Sequence, residues 1–260
     1  MPLSSDYLAL TKQNWGFVAA PQQERLAGVR VLLAGCGLGS NIAVLAARSG
    51  FTRFTLCDGD KVEHSNLNRQ AFRKNQLGQN KAEATATLVK EINPDADVVT
   101  FPKFILPGDA ASLVQTAELI VNLVDPGPAL IALLRAAQAE KKYTFFPLNV
   151  GFGALLFTFG PESPSIEKLM GESLGDNLFI GMLQKLMLGL PPYLLQHLDI
   201  AEKVGREGVP PPQLGVAASI SASLVVTGMM GTLTGNPPPL VPEIGTLDGR
   251  APGRITWPQS

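Results

Sequence analysis

Between Gly35 and Asp125 the sequence sets glycines, carboxylates and cations at spacings that suit a nucleotide. Gly35-Cys36-Gly37-Leu38-Gly39 follows the β-prone run VLLA and opens NIAVLAARSG, whose apolar residues recur at helical spacing. Bare backbone N–H groups and the positive end of a helix at such a turn can cradle phosphate. The same pattern also serves as a close-packing turn with no ligand. Asp58 stands twenty-three residues past Gly35, at the end of the next apolar run, where a ribose-binding acid belongs in a βαβ unit. That position by itself suggests NAD or FAD.

The residues after Asp58 change the reading. The run Asp58-Gly59-Asp60-Lys61-Val62-Glu63-His64-Ser65-Asn66-Leu67-Asn68-Arg69-Gln70 leads to Gly78-Gln79-Asn80-Lys81. It resembles the nucleotide-binding signature of the ThiF/MoeB/HesA family, D-x-D-x-V-x-x-S-N-L-x-R-Q and then G-x-x-K. That family includes the adenylation domains of ubiquitin-activating enzymes, and the likeness runs from about Asn14 to Thr158. The resemblance implies ATP and Mg²⁺ as cofactors and adenylation of a carboxylate as the reaction. It implies that Asp58 holds the ribose, that Asn66 and Arg69 contact phosphate, that Lys81 lies against the phosphates, and that Asp125 binds the metal. Gly35, Gly37, Gly39, Asp60 and Gln70 complete the implied nucleotide site. The chemistry agrees, because splitting ATP between its α and β phosphates needs cations that neutralise the departing pyrophosphate and a carboxylate for Mg²⁺. Arg69 and Lys81 are those cations, although an isolated basic residue is ordinarily only solvated.

The chain departs from the family pattern in several places. Its glycine turn is one residue tighter than the usual G-x-G-G-x-G, and Asn122 stands where many members carry an Asp. The family's arm usually has an Arg that reaches the neighbouring subunit's phosphates, but here the sequence reads Thr11-Lys12-Gln13-Asn14. Lys12 offers a point charge without the bidentate geometry of Arg. No C-x-x-C pair occurs in the sequence to hold zinc, and no cysteine comes between Cys57 and Ser260, so no thioester on the family's downstream nucleophile is expected.

The elements that must position these groups alternate. Strands are expected at VLLAG, Phe54 to Cys57, DVVTF and ELIVNLVD, the last ending at Asp125, with two more in YTFFPLNVGFGALLFTF. Helices are expected in GQNKAEATATLVKEIN, AASLVQTA and ALIALLRAAQAEKK. Strands alternating with helices over short connections give an α/β fold, a doubly wound, mostly parallel Rossmann-like sheet with helices on both faces. Three regions are expected: an arm over 1–29, an ATP-binding domain over 30–160, and a helical C-terminal appendage over 161–260 that selects the substrate or dimerises.

A formal charge of −1 on 260 residues leaves no excess of cations for a nucleic-acid backbone or an anionic membrane surface. No charged residue falls between Gly208 and Pro242, and QLGVAASISASLVVTGMMGTLTG is long enough to span a bilayer. Its Gly, Ser and Thr content, with prolines in place of basic anchors on either side, favours a buried helix. Cys36 and Cys57 both sit in apolar runs and are expected to be buried free thiols. The first residues lack the order of a signal peptide, so a cytoplasmic location is expected.

Together these readings predict a homodimeric adenylyltransferase that passes an acyl-adenylate to an external nucleophile. The apolar segments Gln213–Gly235 and Leu178–Leu198 are expected to form its twofold interface. The carboxylate is open among three sources: a small carrier protein, a peptide or a small molecule. Two rival readings stand beside this one, a non-catalytic scaffold member of the same family and an NAD-dependent oxidoreductase. The latter lacks an evident proton relay beyond His64 and His197, which carry no partner pattern.

Overall fold

The structure, a computed structural model, describes residues 3–171 and 212–250, with isolated residues 200, 203 and 209. Leu178–Leu198, including His197, lies outside the described residues. The arm holds α1 (Ser5–Leu10) and α2 (Ala20–Gly28). Pro21 lies in the first turn of α2, where its missing N–H costs no hydrogen bond. From there the chain alternates: β1 (Arg30–Ala34), α3 (Gly37–Ser49), β2 (Arg53–Cys57), α4 (Lys81–Ile92), β3 (Asp97–Phe101), α5 (Ala110–Gln115), β4 (Leu119–Asn122), α6 (Pro128–Ala139) and β5 (Tyr143–Val150). β6 (Gly153–Phe159) returns antiparallel to β5 and leads into α7 (Ile166–Met170). The long helix α8 (Gly215–Thr234) and a short strand β7 (Gly245–Asp248) close the described fold.

The strands form one seven-stranded sheet in the order β3-β2-β1-β4-β5-β6-β7. β1 to β5 are mutually parallel, whereas β6 and β7 add antiparallel pairs. The expected mostly parallel, doubly wound sheet is what the chain forms. From β1 the chain moves outward to β2 and β3, then crosses back to lay β4 on the other side of β1. Such a reversal opens a crevice beyond the carboxyl ends of the strands.

Burial on both faces explains why the central strands are continuously apolar. Val31, Leu33, Phe54, Leu56 and Val121 face a core shared with α3, α4 and α8. Leu32, Ala34, Cys57 and Ile120 face a second core under α5 and α6. α8 is long and apolar enough to cross a membrane by composition, but Ala222, Val225, Val226, Met229 and Leu233 pack it into the first core. The expected buried helix is therefore found, and it belongs to the main core of the sheet domain. β7, a strand not expected within the C-terminal region, pairs with β6 from Gly153↔Asp248 to Leu156↔Gly245. Asp125 does not end a strand: β4 stops at Asn122, three residues earlier, and the Pro126-Gly127-Pro128 turn comes directly after Asp125.

The arm is tied to the far end of α3 from the glycine turn. Tyr7 Oη donates to the carbonyl of Gly50 at 2.8 Å, and Asn14 Nδ2 donates to that of Ser49 at 3.2 Å. Gly50 has φ of +105° and ends α3 in the left-handed conformation.

Candidate functional site

The glycine turn opens α3 at the sheet's reversal point. Gly35 has φ of +108°, and a Cβ there would lie 2.9 Å from the Leu123 carbonyl, so only glycine fits between β1 and the loop after β4. Gly37 presents its bare Cα toward Gln70, whose Nε2 would stand 3.1 Å from an added Cβ. Gly39 has a different role. Its missing side chain makes room for Leu123 Cδ1 and Leu33 Cβ, which is close packing of α3 on the sheet.

Asp58 is bound into the turn. Its Oδ2 accepts from Cys36 N at 2.7 Å and its Oδ1 from Asp60 N at 2.8 Å. Burial raises its pKa above the ordinary carboxylate value, opposed by those two backbone N–H groups and by the charge of Lys81. Asn80 then locks the acidic loop onto α4. Its Oδ1 accepts from Ala82 N and Glu83 N as an N-cap, while its Nδ2 donates to the carbonyls of Asp58 and Asp60.

Lys81, at the first position of α4, has a side chain only 11 % exposed and pairs with Asp60 Oδ2 at 2.9 Å. It is not a solvated surface lysine, and it lines the cavity at the sheet's reversal point with ammonium donors to spare. Arg69 donates from Nε to Gln213 Oε1 at 2.8 Å and from Nη1 to the Ser65 carbonyl at 2.8 Å. Asn41 Nδ2 fixes the Arg69 carbonyl at 2.6 Å.

These groups surround a cavity of about 400 Å³. Its lining follows the order of the sheet. Phe104 and Ile105 come from the loop after β3, Asp58 to Asp60 from the tip of β2, and Gly35 and Gly37 from the turn after β1. Leu123 to Asp125 come just after β4, and Phe146 to Asn149 belong to β5 itself. Gln70, Arg69 and Lys81 close one side with Gln213.

Every residue expected at the site lines this cavity except Gly39 and Asn66. Asn66 is buried, and its Oδ1 accepts from Glu63 N at 3.0 Å, so its side chain shapes the loop that carries Arg69. Asn122 is also absent from the lining. Fully buried, it donates through Nδ2 to the Leu130 carbonyl at 3.1 Å, a bond an ionised Asp could not make. Asn122 thus ties β4 to α6 and does not itself line the cavity. Gln70 Oε1 is buried without a partner among the described residues.

Asp125 is exposed at the cavity mouth. Among the described residues no group of three or more His, Cys, Asp or Glu could hold a metal by itself. One hard carboxylate beside a phosphate cradle nevertheless fits Mg²⁺, which is held in nucleotide sites by one or two carboxylates plus the phosphates.

Sequence reasoning missed Phe104, Asn149 and Gln213. Gln213 reaches the site from 144 residues beyond Arg69 and no local spacing announces it. Asn149 Oδ1 is taken by Ser221 Oγ of α8 at 2.5 Å, a pairing that needs α8 docked on β5. Cys57 also lines the cavity, but burial pushes its thiol up to about 12, and that of Cys36 is raised well above its ordinary value. Neither is a ready nucleophile.

Comparison with known proteins agrees with the geometry. The family model described as "ThiF family" matches residues 10–252. Ubiquitin-like modifier-activating enzyme 5 of Drosophila grimshawi is 29% identical over 236 residues, covering 85% of this chain and 54% of that protein. Adenylyltransferase and sulfurtransferase MOCS3 of Mus musculus is 35% identical over 108 residues, 41% of this chain and 24% of its own length. The chain thus spans about half the length, or less, of these curated relatives. Among solved structures, PaaA superposes with a TM-score of 0.73 at 21% identity, covering 95% of this chain and 81% of PaaA. E. coli MccB solved with ATP gives 0.66 at 18%, covering 95% and 72%. With the signature residues gathered at one crevice and the family model spanning nearly its whole length, the chain belongs to the ThiF family.

Proposed function

We propose that this protein uses ATP and Mg²⁺ to adenylate a carboxylate and passes the acyl-adenylate to an external nucleophile. One observation carries the reading: a nearly buried lysine, an anchored arginine, a glycine turn at a helix start and the three carboxylates Asp58, Asp60 and Asp125 converge on one cavity at the sheet's reversal point. The solved relatives support the choice of nucleotide, since MccB was crystallised with ATP and with AMPCPP. A non-catalytic scaffold would have no physical need to keep this charge set around an open cavity.

The order of the lining gives the nucleotide a direction. Asp58 at the tip of β2 would accept from the ribose hydroxyls through its remaining lone pairs. The phosphates would lie on the N–H groups at the start of α3, beside Arg69 and Lys81. The acyl carboxylate would then enter from the β5 end, where Asn149, its Oδ1 held by Ser221, has no amide N–H bond to another of the described residues. A carboxylate oxygen forms a bond to the α-phosphorus as the bond to the bridging α–β oxygen breaks, and the electron pair leaves with pyrophosphate. Arg69 and Lys81 stabilise the charge that gathers on the leaving group. Mg²⁺, held at Asp125, would supply further neutralisation of the phosphates.

The substrate is proposed to be the C-terminus of a peptide or small carrier protein, or a small-molecule acid. MccB solved together with MccA supports the first of these. The proposal includes a homodimer. Lys12 sits at the far end of α3, a helix of 13 residues and so about 20 Å long, and cannot reach its own glycine turn. Trp15 and Phe17 beside it are 77% and 95% exposed, apolar surface that a second subunit would cover. Unpaired thiols at Cys36 and Cys57 agree with the proposed cytoplasmic location.

The direct test is exchange of labelled pyrophosphate into ATP, screened over free-acid peptides and small carboxylates. Exchange that needs one class of acid is expected. Binding of NAD in preference to ATP, read as a rise in melting temperature, would overturn the reading.

A further inference from the structure

The family signature leaves its second position open, and here that position is Gly59, between the ribose acid Asp58 and Asp60. The structure gives a local reason for glycine. A Cβ on Gly59 would lie 2.5 Å from Phe104 N and 2.6 Å from Phe104 Cγ, too close for any side chain. Gly59 and Phe104 are therefore a matched pair: the acidic loop passes close against the backbone and ring of Phe104, from the loop after β3.

That ring is unusual in its setting. Phe104 lines the cavity and is 65% exposed, whereas its neighbour Ile105 packs into the core under α5 and α6. Lys103 does not cover it, because its Nζ lies over Phe101, 4.2 Å from that ring's centroid. Asp109 Oδ2 accepts from Leu106 N at 2.9 Å and fixes the loop just beyond. A large aromatic face is thus held in place, wet, at the β3 end of the cavity, beyond Asp58 from the glycine turn. A flat apolar ring that is positioned but uncovered suits a planar partner.

We propose that Phe104, propped by Gly59, is the stacking platform for the nucleotide base and makes this site select purine over pyrimidine nucleotides. The inference rests on the adenylation reading and its nucleotide direction: with the ribose on Asp58 and the phosphates on α3, the base points toward β3 and meets Phe104. Stacking needs no hydrogen-bond readout and grows with the area of the base, so it ranks purines above pyrimidines. Phe104 is a positioning residue in this scheme, since it touches the base and not the reacting phosphorus.

Calorimetric titration of the full chain with ATP, CTP and inorganic tripolyphosphate tests it, using wild type, Phe104→Ala, Phe104→Tyr and Gly59→Ala. Phe104→Ala should weaken ATP roughly tenfold, in the range expected for loss of one aromatic–base stack. It should leave tripolyphosphate unchanged and narrow the preference for ATP over CTP. Phe104→Tyr should restore ATP binding, and Gly59→Ala, which must displace the ring, should resemble Phe104→Ala. Because the ring is mostly exposed, the melting temperature of Phe104→Ala should stay near wild type. Unchanged ATP affinity in Phe104→Ala, or equal weakening of ATP and tripolyphosphate, would overturn the stacking role while leaving the ATP reading intact. A wild-type protein that binds neither ligand would instead overturn the adenylation reading, and the platform with it.

Discussion

Replacing Lys81 by Met removes one charge while keeping an apolar stem of similar length along the buried wall. The geometry gives this change two consequences of unequal size. The first is structural: Lys81 loses its 2.9 Å pair with Asp60, but Asp60 is 53% exposed and rehydrates. A pair open to solvent on one side contributes about 0–1 kcal/mol, so the melting temperature should fall by no more than about 2–4 °C. The second concerns ligand. A unit charge about 4 Å from a phosphate oxygen contributes about 4 kcal/mol at an effective dielectric of about 20. Asp60 already neutralises part of the ammonium, which halves this to about 2 kcal/mol, or about thirtyfold in affinity. Titration calorimetry with Mg²⁺-ATP and with adenosine separates the two effects. Lys81→Met should bind ATP about thirtyfold more weakly and adenosine as well as wild type does. Equal ATP affinity in both proteins, or an equal loss for adenosine, would refute the placement of the lysine against phosphate.

Three further outcomes are expected. Because burial raises the Asp58 pKa, adenosine binding should weaken on acidification at a higher pH than an ordinary aspartate would give, and Asp58→Asn should abolish that pH dependence. The same shift means that the folded chain holds this proton more tightly than the unfolded one. Asp58 therefore adds stability at low pH that is lost as pH rises through its raised value. With Cys57 pushed up to about 12 and Cys36 raised well above normal, native protein should resist iodoacetamide at pH 8 and react once unfolded; rapid native labelling would contradict their burial. Since Lys12 lies at the far end of α3 from its own glycine turn, mixed Lys12→Ala and Lys81→Ala subunits should recover pyrophosphate exchange that neither variant shows alone. No recovery, or a monomer by light scattering with full exchange, would contradict an arm acting across a dimer.

Legibility in the sequence depends on whether the determining contacts are local. β1, the glycine turn and α3 are readable because an apolar run, a φ-positive glycine and a helical repeat are neighbours in the chain. The charge set at Asp58, Arg69 and Lys81 is readable for the same reason, being carried by one loop and the helix start that comes after it. Asn66, which the resemblance implies contacts phosphate, accepts from Glu63 N within its own loop and does not line the cavity, a placement that only the folded loop reveals. Asn122 looks like a damaged site residue until α6 lays the Leu130 carbonyl against it. Gln213, Asn149 and Phe104 enter only after long-range packing, α8 onto β5 and the β3 loop onto Gly59. β7 escapes notice because four residues, two exposed and two half-buried, carry too little alternation to announce a strand.

A crystal structure with a non-hydrolysable ATP analogue and Mg²⁺ tests the central claim most directly. The base should lie on Phe104, the ribose on Asp58, and the phosphates along Gly35 to Gly37 between Arg69 and Lys81, with the metal at Asp125. A nucleotide running the other way, with its phosphates toward β3, or one bound outside this cavity would contradict the assignment of the site.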